Sequence, residues 1–183
     1  GTQGQPYVVR VSANAGTTHL DEATGAAQPL PAGFAMRSML VPASTGTLTV
    51  NATITPFSEL AVAAAAKASG GISAANVAQA QSTVKQLLGF DPTTVAVKPT
   101  TGAASTDEQK LAVLLAAVSR LAQTGALGCD TGAAGDKAKC VVDTLGSAAD
   151  IGSLKLSVGS GTTARDVSAA LSGALGDVLG NPA

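Results

Sequence analysis

The stretch from Leu48 to Val62 reads LTVNATITPFSELAV, and the spacing of its apolar residues changes within it. Before Thr55 the apolar residues alternate with polar ones, which is typical of a β-strand with one buried face. Pro56 then opens an alanine-rich segment with helical spacing, and proline is favoured in the first turn of a helix. A β unit therefore leads directly into a helical unit, and the sequence predicts the α+β fold class.

This boundary divides the chain into a β unit, residues 1–54, and a helical unit, residues 55–183. In the β unit, alternating apolar residues predict strands at 6–13, 17–20, 36–41 and 46–53. Pro29 and Pro31 predict a loop over residues 28–33. Four short strands cannot close a barrel, so we expect a small, open antiparallel sheet with an unpaired edge and helices on one face.

The helical unit is predicted to be an alanine-rich bundle of about five helices. They are expected at residues 56–69, 74–88, 107–123 and 136–149, with a last one from about 164 to 179; a long connection at 91–106 and a short strand at 154–158 lie between them. Glu59 lies near the positive end of the first helix dipole. Thr106 with Gln109 resembles a capping box, and Thr163 with Asp166 resembles another.

The composition is poor in charged and aromatic residues. Charged residues make up 13% of the chain, aromatic residues 2%, and the formal net charge is −1. No basic patch is available to neutralise several phosphates, so a nucleic-acid partner is not expected. The longest apolar run, from Ala61 to Ala66, is far too short to span a bilayer, so no membrane span is expected.

Low charge combined with many Gly, Ser, Thr and Ala residues is typical of secreted bacterial surface proteins. The chain begins with Gly1 rather than Met. We interpret this beginning as processing, for instance the removal of a signal peptide, or as a fragment of a longer protein. The predicted location is therefore extracellular, at the cell surface.

The two cysteines, Cys129 and Cys140, bracket a glycine-rich stretch and are predicted to form a disulfide that closes a local loop. This disulfide favours an oxidising compartment. Two buried free thiols are the alternative. A redox pair is disfavoured because the spacing is not Cys-x-x-Cys, and a zinc site would need two further ligands.

No reactive constellation stands out, and the sequence predicts neither enzymatic activity nor a cofactor. Residues 159–164 match the G-x-G-x-x-A pattern of dinucleotide-binding turns. No succession of parallel strands surrounds this motif and no acidic residue follows at the required distance, so we interpret it as a glycine turn that leads into a capped helix. Asp107 and Glu108 have an adequate role at the start of a helix.

A metal site is not predicted either. His19 is the only histidine, and Met36 or Met39 are conceivable partners for haem or copper, but ordinary strand packing explains both methionines. Asp130 and Asp136 do not have the spacing of a calcium loop, so we interpret them as solvated acids in the disulfide loop. No role is assigned to His19.

Two short stretches resemble a known arrangement. PYVVRV at residues 6–11 and DEATG at 21–25 resemble the last strands of carboxypeptidase-regulatory-like or Ig-like modules of secreted proteobacterial proteins. TPFSELA at residues 55–61 resembles the opening of the helical region that often follows such modules. The resemblance implies an extracellular setting and no catalytic residues, and this chain lacks the earlier strands of the module.

We therefore expect a secreted structural subunit of a filament or adhesive assembly, joined through β-strand edges to copies of itself or to a parent surface protein. The predicted assembly strand contains Tyr7, Val8, Val9 and Val11. A neighbouring subunit's sheet edge is expected to hold the polar residues before it, and head-to-tail pairing of that kind builds a filament. The alternative is an extracellular binding module for a small apolar ligand or glycan, in the groove between sheet and helices.

Overall fold

The structure, a computed structural model, describes residues 1–22, 24–98 and 106–180. The strands are β1 (Tyr7–Ser12), β2 (Thr18–Asp21), β3 (Ala26–Pro29), β4 (Ala35–Leu40), β5 (Ser157–Val158) and β6 (Arg165–Asp166). The helices are α1 (Pro56–Lys67), α2 (Ala74–Leu88), α3 (Asp107–Thr124), α4 (Ala134–Ala148) and α5 (Val167–Gly180). The predicted α+β class is confirmed. Ala23, which lies in the DEATG stretch at 21–25, and residues 99–105 of the predicted connection lie outside the described residues.

Within these ranges the strands form antiparallel pairs rather than one open sheet. β1 pairs with β4, so that Tyr7 lies opposite Leu40 and Ser12 opposite Ala35. β2 and β3 form a hairpin, and β5 pairs with β6. The strands predicted at 6–13, 17–20 and 36–41 are confirmed, and β2 pairs with β3, a strand that was not predicted.

The predicted loop at 28–33 is wrong at its beginning, because β3 extends to Pro29. The N–H of Leu30 donates to the carbonyl of Thr17 (2.9 Å). Since hydrogen-bonded and non-hydrogen-bonded pairs alternate along an antiparallel ladder, the backbone of Pro29 is turned away from β2. The β2–β3 ladder therefore loses no hydrogen bond because Pro29 lacks an N–H.

The predicted strand at 46–53 does not form. Its alternating apolar residues Leu48 and Val50 are exposed. Side chains from α1 and α2 occupy the outer edge of β4, so the segment cannot pair there. The pattern is compatible with a strand, but the segment pairs with no described strand.

Local capping signals set most helix boundaries. Thr55 and Ser73 cap α1 and α2 by accepting backbone N–H groups, and Gly89 ends α2 in the left-handed conformation. The predicted capping box of Thr106 and Gln109 opens α3 as expected. These signals are local in sequence, which is why four of the helices begin within about two residues of their predicted positions.

The second predicted capping box, Thr163 with Asp166, is wrong. The hydroxyl of Thr163 donates to the carbonyl of Ser160 (2.9 Å) within a 3₁₀ turn. Asp166 accepts the N–H of Ala169 (2.9 Å) and thereby caps α5 by itself. The helix begins three residues later than predicted because the short pair β5–β6 precedes it.

The main core lies among the five helices and includes Met39 from β4. Its largest fully buried side chains include Phe57, Leu60, Leu111, Leu121 and Leu145. A smaller cluster joins the β part to α4 and contains Ala13, Phe34 and Val142.

The carboxyl-terminal end of α4 is held by Lys67 from the last turn of α1. The ammonium group donates to the carbonyls of Gly146 (2.9 Å), Ser147 (2.5 Å) and Ala149 (3.2 Å). Carbonyls at a helix end lack the N–H partners of the helix interior, and here only that of Gly146 also accepts the N–H of the cap residue Ala149 (3.3 Å). Burial lowers the pKa of Lys67 because the charged form loses water. The contact fastens α1 to α4.

The hairpin β2–β3 approaches α4 most closely at Gly135, in the first turn of that helix. A Cβ atom at Gly135 would lie 2.0 Å from the carbonyl oxygen of Pro29. Such a distance is far inside the contact distance of two non-bonded atoms. The hairpin therefore lies directly against the helix backbone, and a residue with a side chain does not fit there without moving it.

Candidate functional site

The edge of β4 that faces away from β1 is covered by side chains from helices α1 and α2. The backbone N–H of Arg37 donates to Oε2 of Glu59 (2.8 Å), and the carbonyl of Arg37 accepts from the hydroxyl of Ser58 (2.8 Å). The carbonyl of Met39 accepts from Nε2 of Gln81 (3.0 Å). These bonds occupy the backbone groups that another strand would use.

Glu59 also binds the guanidinium of Arg37. Nη2 lies 2.5 Å from Oε1, and Nε lies 3.1 Å from both carboxylate oxygens. The hydrogen bond with Glu59 raises the pKa of Arg37. Glu59 is only 9% exposed. Sequence reasoning placed Glu59 at a helix dipole and missed this role, because no local pattern connects residues so far apart in the chain.

These bonds also show in which direction the N–H and C=O groups of β1 point. Backbone groups of alternate residues in an antiparallel strand point to opposite edges. Arg37 and Met39 face the helices, and they lie opposite Arg10 and Val8. The N–H and C=O groups of Val8 and Arg10 therefore point away from β4, and those of Ser12 follow the same alternation.

We call the outward backbone groups of Val8, Arg10 and Ser12 the open edge of β1. In the described part of the chain no hydrogen bond reaches these groups, and β1 shares extended contact only with β4. Tyr7, Val8 and Val11 of the predicted assembly strand are 41%, 42% and 57% exposed, and Val9 is half-buried. An exposed apolar edge strand of this kind is a template for pairing with another chain.

The residues before β1 are held by the chain itself, so the expectation that a neighbouring subunit holds them is wrong. The amino group of Gly1 donates to the carbonyl of Gly46 (2.5 Å), and the N–H of Gly46 donates back to Gly1 (2.9 Å). The N–H of Gln3 donates to the hydroxyl of Thr45 (3.0 Å). The amino-terminal residues form no free arm, so any pairing must use the edge of β1 in place.

β2 offers a second, shorter open edge. The bond from Leu30 to Thr17 sets the alternation of the hairpin, so the backbone groups of Thr18 and Leu20 turn away from β3. No other described residue bonds to these groups, and the side chain of Leu20 is exposed.

His19 lies half-buried on β2, beside Gln28 on β3. Nδ1 of His19 lies 3.2 Å from the carbonyl oxygen of Gln28. A carbonyl oxygen only accepts, so Nδ1 carries the hydrogen.

His19 and Ser119 line two cavities, which therefore adjoin. One cavity, of about 180 Å³, is apolar and lies between the β part and helices α3 and α4; its walls include Leu30, Phe34, Met36, Val118 and Val142. The other, of about 380 Å³, is more polar and includes Asp21, Gln28, Gln123 and Lys137. Sequence reasoning did not single out Ser119 or Lys137, because nothing local marks a helix residue as the wall of a cavity.

The structure brings Met36 to the same cavity as His19, whereas Met39 lies in the main core. In the described ranges, no group of three or more His, Cys, Asp or Glu residues is placed to hold a metal ion. Asp136 accepts the N–H of Ala133 (3.1 Å) at the start of α4. That bond gives this carboxylate a structural role.

Cys129 and Cys140 form a disulfide, as predicted, with an S–S distance of 2.08 Å. Cys129 is buried in the main core, and Cys140 lies within α4. The disulfide therefore fastens the segment after α3 to the middle of α4.

The glycine motif at 159–164 lies between β5 and β6. It forms a turn, as interpreted, with a short 3₁₀ segment, Gly161–Thr163. The turn leads into β6 before α5 begins, so the amino terminus of α5 does not lie at the motif. Asp107 and Glu108 make exposed ion pairs with Lys110 (2.8 Å) and Lys98 (2.6 Å) at the start of α3. Neither feature forms a reactive site.

Comparison with known proteins provides no relative to argue from: no family model, curated protein or solved structure matches the chain. In the described part of the chain, no helix combines the length and the apolar character needed to cross a membrane. The function must therefore be inferred from the open edge of β1 and from the two cavities beside His19.

Proposed function

We propose that the chain is a secreted, non-enzymatic structural subunit that joins copies of itself, or a parent surface protein, through the open edge of β1. The observation that carries the proposal is the contrast between the two edges of the β1–β4 pair. Glu59, Ser58 and Gln81 cover the edge of β4, whereas the edge of β1 is bare among the described residues and carries exposed apolar side chains. Strand addition at such an edge is a recurrent mode of recognition.

The extracellular location is supported by the disulfide and by the low content of charged residues. Disulfides persist in oxidising compartments and are rare in the reducing cytosol. A filament or an adhesive array needs two contacts on each subunit, because a single symmetric contact closes into a dimer. The open edge of β2, at Thr18 and Leu20, is the candidate for the second contact.

Replacing Arg10 by proline tests the edge. The N–H of Arg10 points away from β4, so Arg10→Pro removes an outward donor and leaves the bonds between β1 and β4 in place. Each of two symmetric copies loses one hydrogen bond, with a net value of about 1 kcal/mol each. We therefore expect the dissociation constant of the assembly to rise about 30-fold, measured by analytical ultracentrifugation over a range of protein concentrations.

Arg10→Ala is the matched control, because it removes the same side chain and keeps the N–H. It should assemble more strongly than Arg10→Pro, and circular dichroism should show both variants folded. A wild-type chain that is monomeric at every concentration, or equal assembly of the two variants, contradicts the proposal.

A second candidate function is supported by the apolar cavity next to His19. This cavity lies between the β part and the helices, which is the groove expected for a small apolar ligand. An apolar cavity of about 150 Å³ is large enough to bind benzene. The chain would then be an extracellular binding module for a small apolar ligand.

Ala138 on α4 lines both cavities and provides the test of this second function. Ala138→Leu adds a side chain that fills the space, whereas Ala66→Leu adds the same side chain at an exposed position of α1. We expect saturating benzene to raise the thermal midpoint of the wild type and of Ala66→Leu but not of Ala138→Leu. The absence of any shift in the wild type excludes a ligand of this class.

A further inference from the structure

A symmetric contact between two β1 strands can adopt only a few registers. In an antiparallel pair about a two-fold axis, the outward residues of one copy must face the outward residues of the other. The outward residues of β1 are Val8, Arg10 and Ser12, so the axis passes through a single residue of the strand. The side chains of β1 and the proline before it, Pro6, then favour one position of the axis over the others.

An axis at Arg10 places two guanidinium groups directly opposite each other, and like charges in that position destabilise a strand pair. An axis at Val11 or Ser12 leaves Tyr7 and Val8 with no strand residue opposite them. An axis at Tyr7 or Val8 places Pro6 opposite Val8 or Arg10, inside the pair, where an N–H is needed and proline has none.

The remaining register has its axis at Val9. Tyr7 then lies opposite Val11 of the second copy, which is a favourable aromatic and β-branched pair. Val8 and Arg10 exchange backbone hydrogen bonds with Arg10 and Val8 of the second copy, and the two Arg10 side chains are not paired directly. Pro6 then lies opposite Ser12 at each end of the pair, so its missing N–H costs only a terminal hydrogen bond.

We propose that two copies of the chain pair through β1 about a two-fold axis at Val9, forming a continuous sheet β4–β1–β1–β4. The inference depends on the proposed function, because it requires that the open edge of β1 binds a second copy. It adds the identity of the partner, the symmetry and the register. Because the helices cover β4 in both copies, this sheet ends after four strands, and the contact closes into a dimer.

Cysteine cross-linking tests the register. Both native cysteines are in the disulfide, so an introduced cysteine is the only free thiol. An axis at Val9 makes the two Val9 residues a non-hydrogen-bonded pair, whose Cα atoms lie about 4.5 Å apart, within the range of a disulfide. We expect Val9→Cys to form a covalent dimer under mild oxidation at least about tenfold faster than Arg10→Cys or Val11→Cys.

Two further proteins keep the test decisive if Val9→Cys folds poorly. Tyr7→Cys and Val11→Cys should cross-link with each other when mixed, and each alone should cross-link slowly. Fastest reaction of Arg10→Cys or Val11→Cys, or equal rates for all variants, overturns the register. If Arg10→Pro weakens a dimer that none of these thiols captures, only the register fails. If the wild type is monomeric throughout, the proposed function fails as well.

Discussion

Replacing Glu59 by alanine is expected to lower the free energy of unfolding by about 3 kcal/mol, at the low end for breaking a buried ion pair. Glu59 accepts both the backbone N–H and the guanidinium of Arg37, and it is almost fully buried. Its loss leaves the charge and the N–H of Arg37 unpaired at the boundary of β4 and α1. We choose the low end because the side chain of Arg37 is 35% exposed, so water screens part of the effect. Denaturant unfolding measures the change.

Glu108→Ala is the matched control, since Glu108 is also a first-turn glutamate with a basic partner. Its pair with Lys98 is exposed on both sides, so the expected loss is below about 1 kcal/mol. Glu59→Ala should also increase aggregation, because it uncovers the edge of β4. Equal losses of stability in the two variants would show that Glu59 does not join β4 to α1 as described.

Removing the disulfide with Cys129→Ala and Cys140→Ala together is expected to lower the free energy of unfolding by at least about 3 kcal/mol, the value for closure of a loop of this length in the unfolded chain. The two cysteines are separated by 11 in sequence. Cys129 is buried in the main core, so its smaller replacement adds a packing loss to the entropic one. Thermal or denaturant unfolding of the oxidised wild type and the double variant gives the difference.

Reduction provides an internal check on the disulfide. A reductant should destabilise the wild type toward the double variant and leave the double variant unchanged. A loss below about 1 kcal/mol in the wild type on reduction would contradict the chain-entropy argument.

The helices can be predicted from the sequence because their signals are local. Ser73 and Gly89 bound α2 at the predicted residues, and Thr106 with Gln109 opens α3. The predicted start of the last helix is too early, because Thr163 has the composition of a cap but lies in a turn between two strands. A capping signal is reliable only when the chain after it is free to continue as a helix.

The β part can be predicted only in pieces, because strand pairing is not local. The alternation in β1 and β4 is sufficient to find both strands, but nothing in it shows that β2 pairs with β3. The segment at 46–53 has the same alternation but forms no strand: Glu59 and Gln81 occupy the edge of β4, and the segment does not pair with β1 either. The alternation of apolar residues alone does not show whether a segment will pair with a neighbouring strand.

The candidate site can likewise be predicted only in part, because some of its features are local in sequence and others are not. Exposure of Tyr7, Val8 and Val11 agrees with their predicted place on an accessible strand. The orientation of the backbone of β1 follows from its pairing with β4, a strand more than 20 residues away, and the bond from Arg37 to Glu59 agrees with it. The cavities beside His19 depend on the packing of three separate segments, and no residue pattern encodes that.

The close approach of Gly135 to Pro29 has a consequence for the detection of homologues of this chain. At this position any side chain displaces the hairpin from α4. A homologue that retains the hairpin should therefore keep glycine here, even where the surrounding alanines and serines have drifted beyond detection. An invariant glycine at the position of Gly135, at a fixed distance before Cys140, would then help to align distantly related sequences.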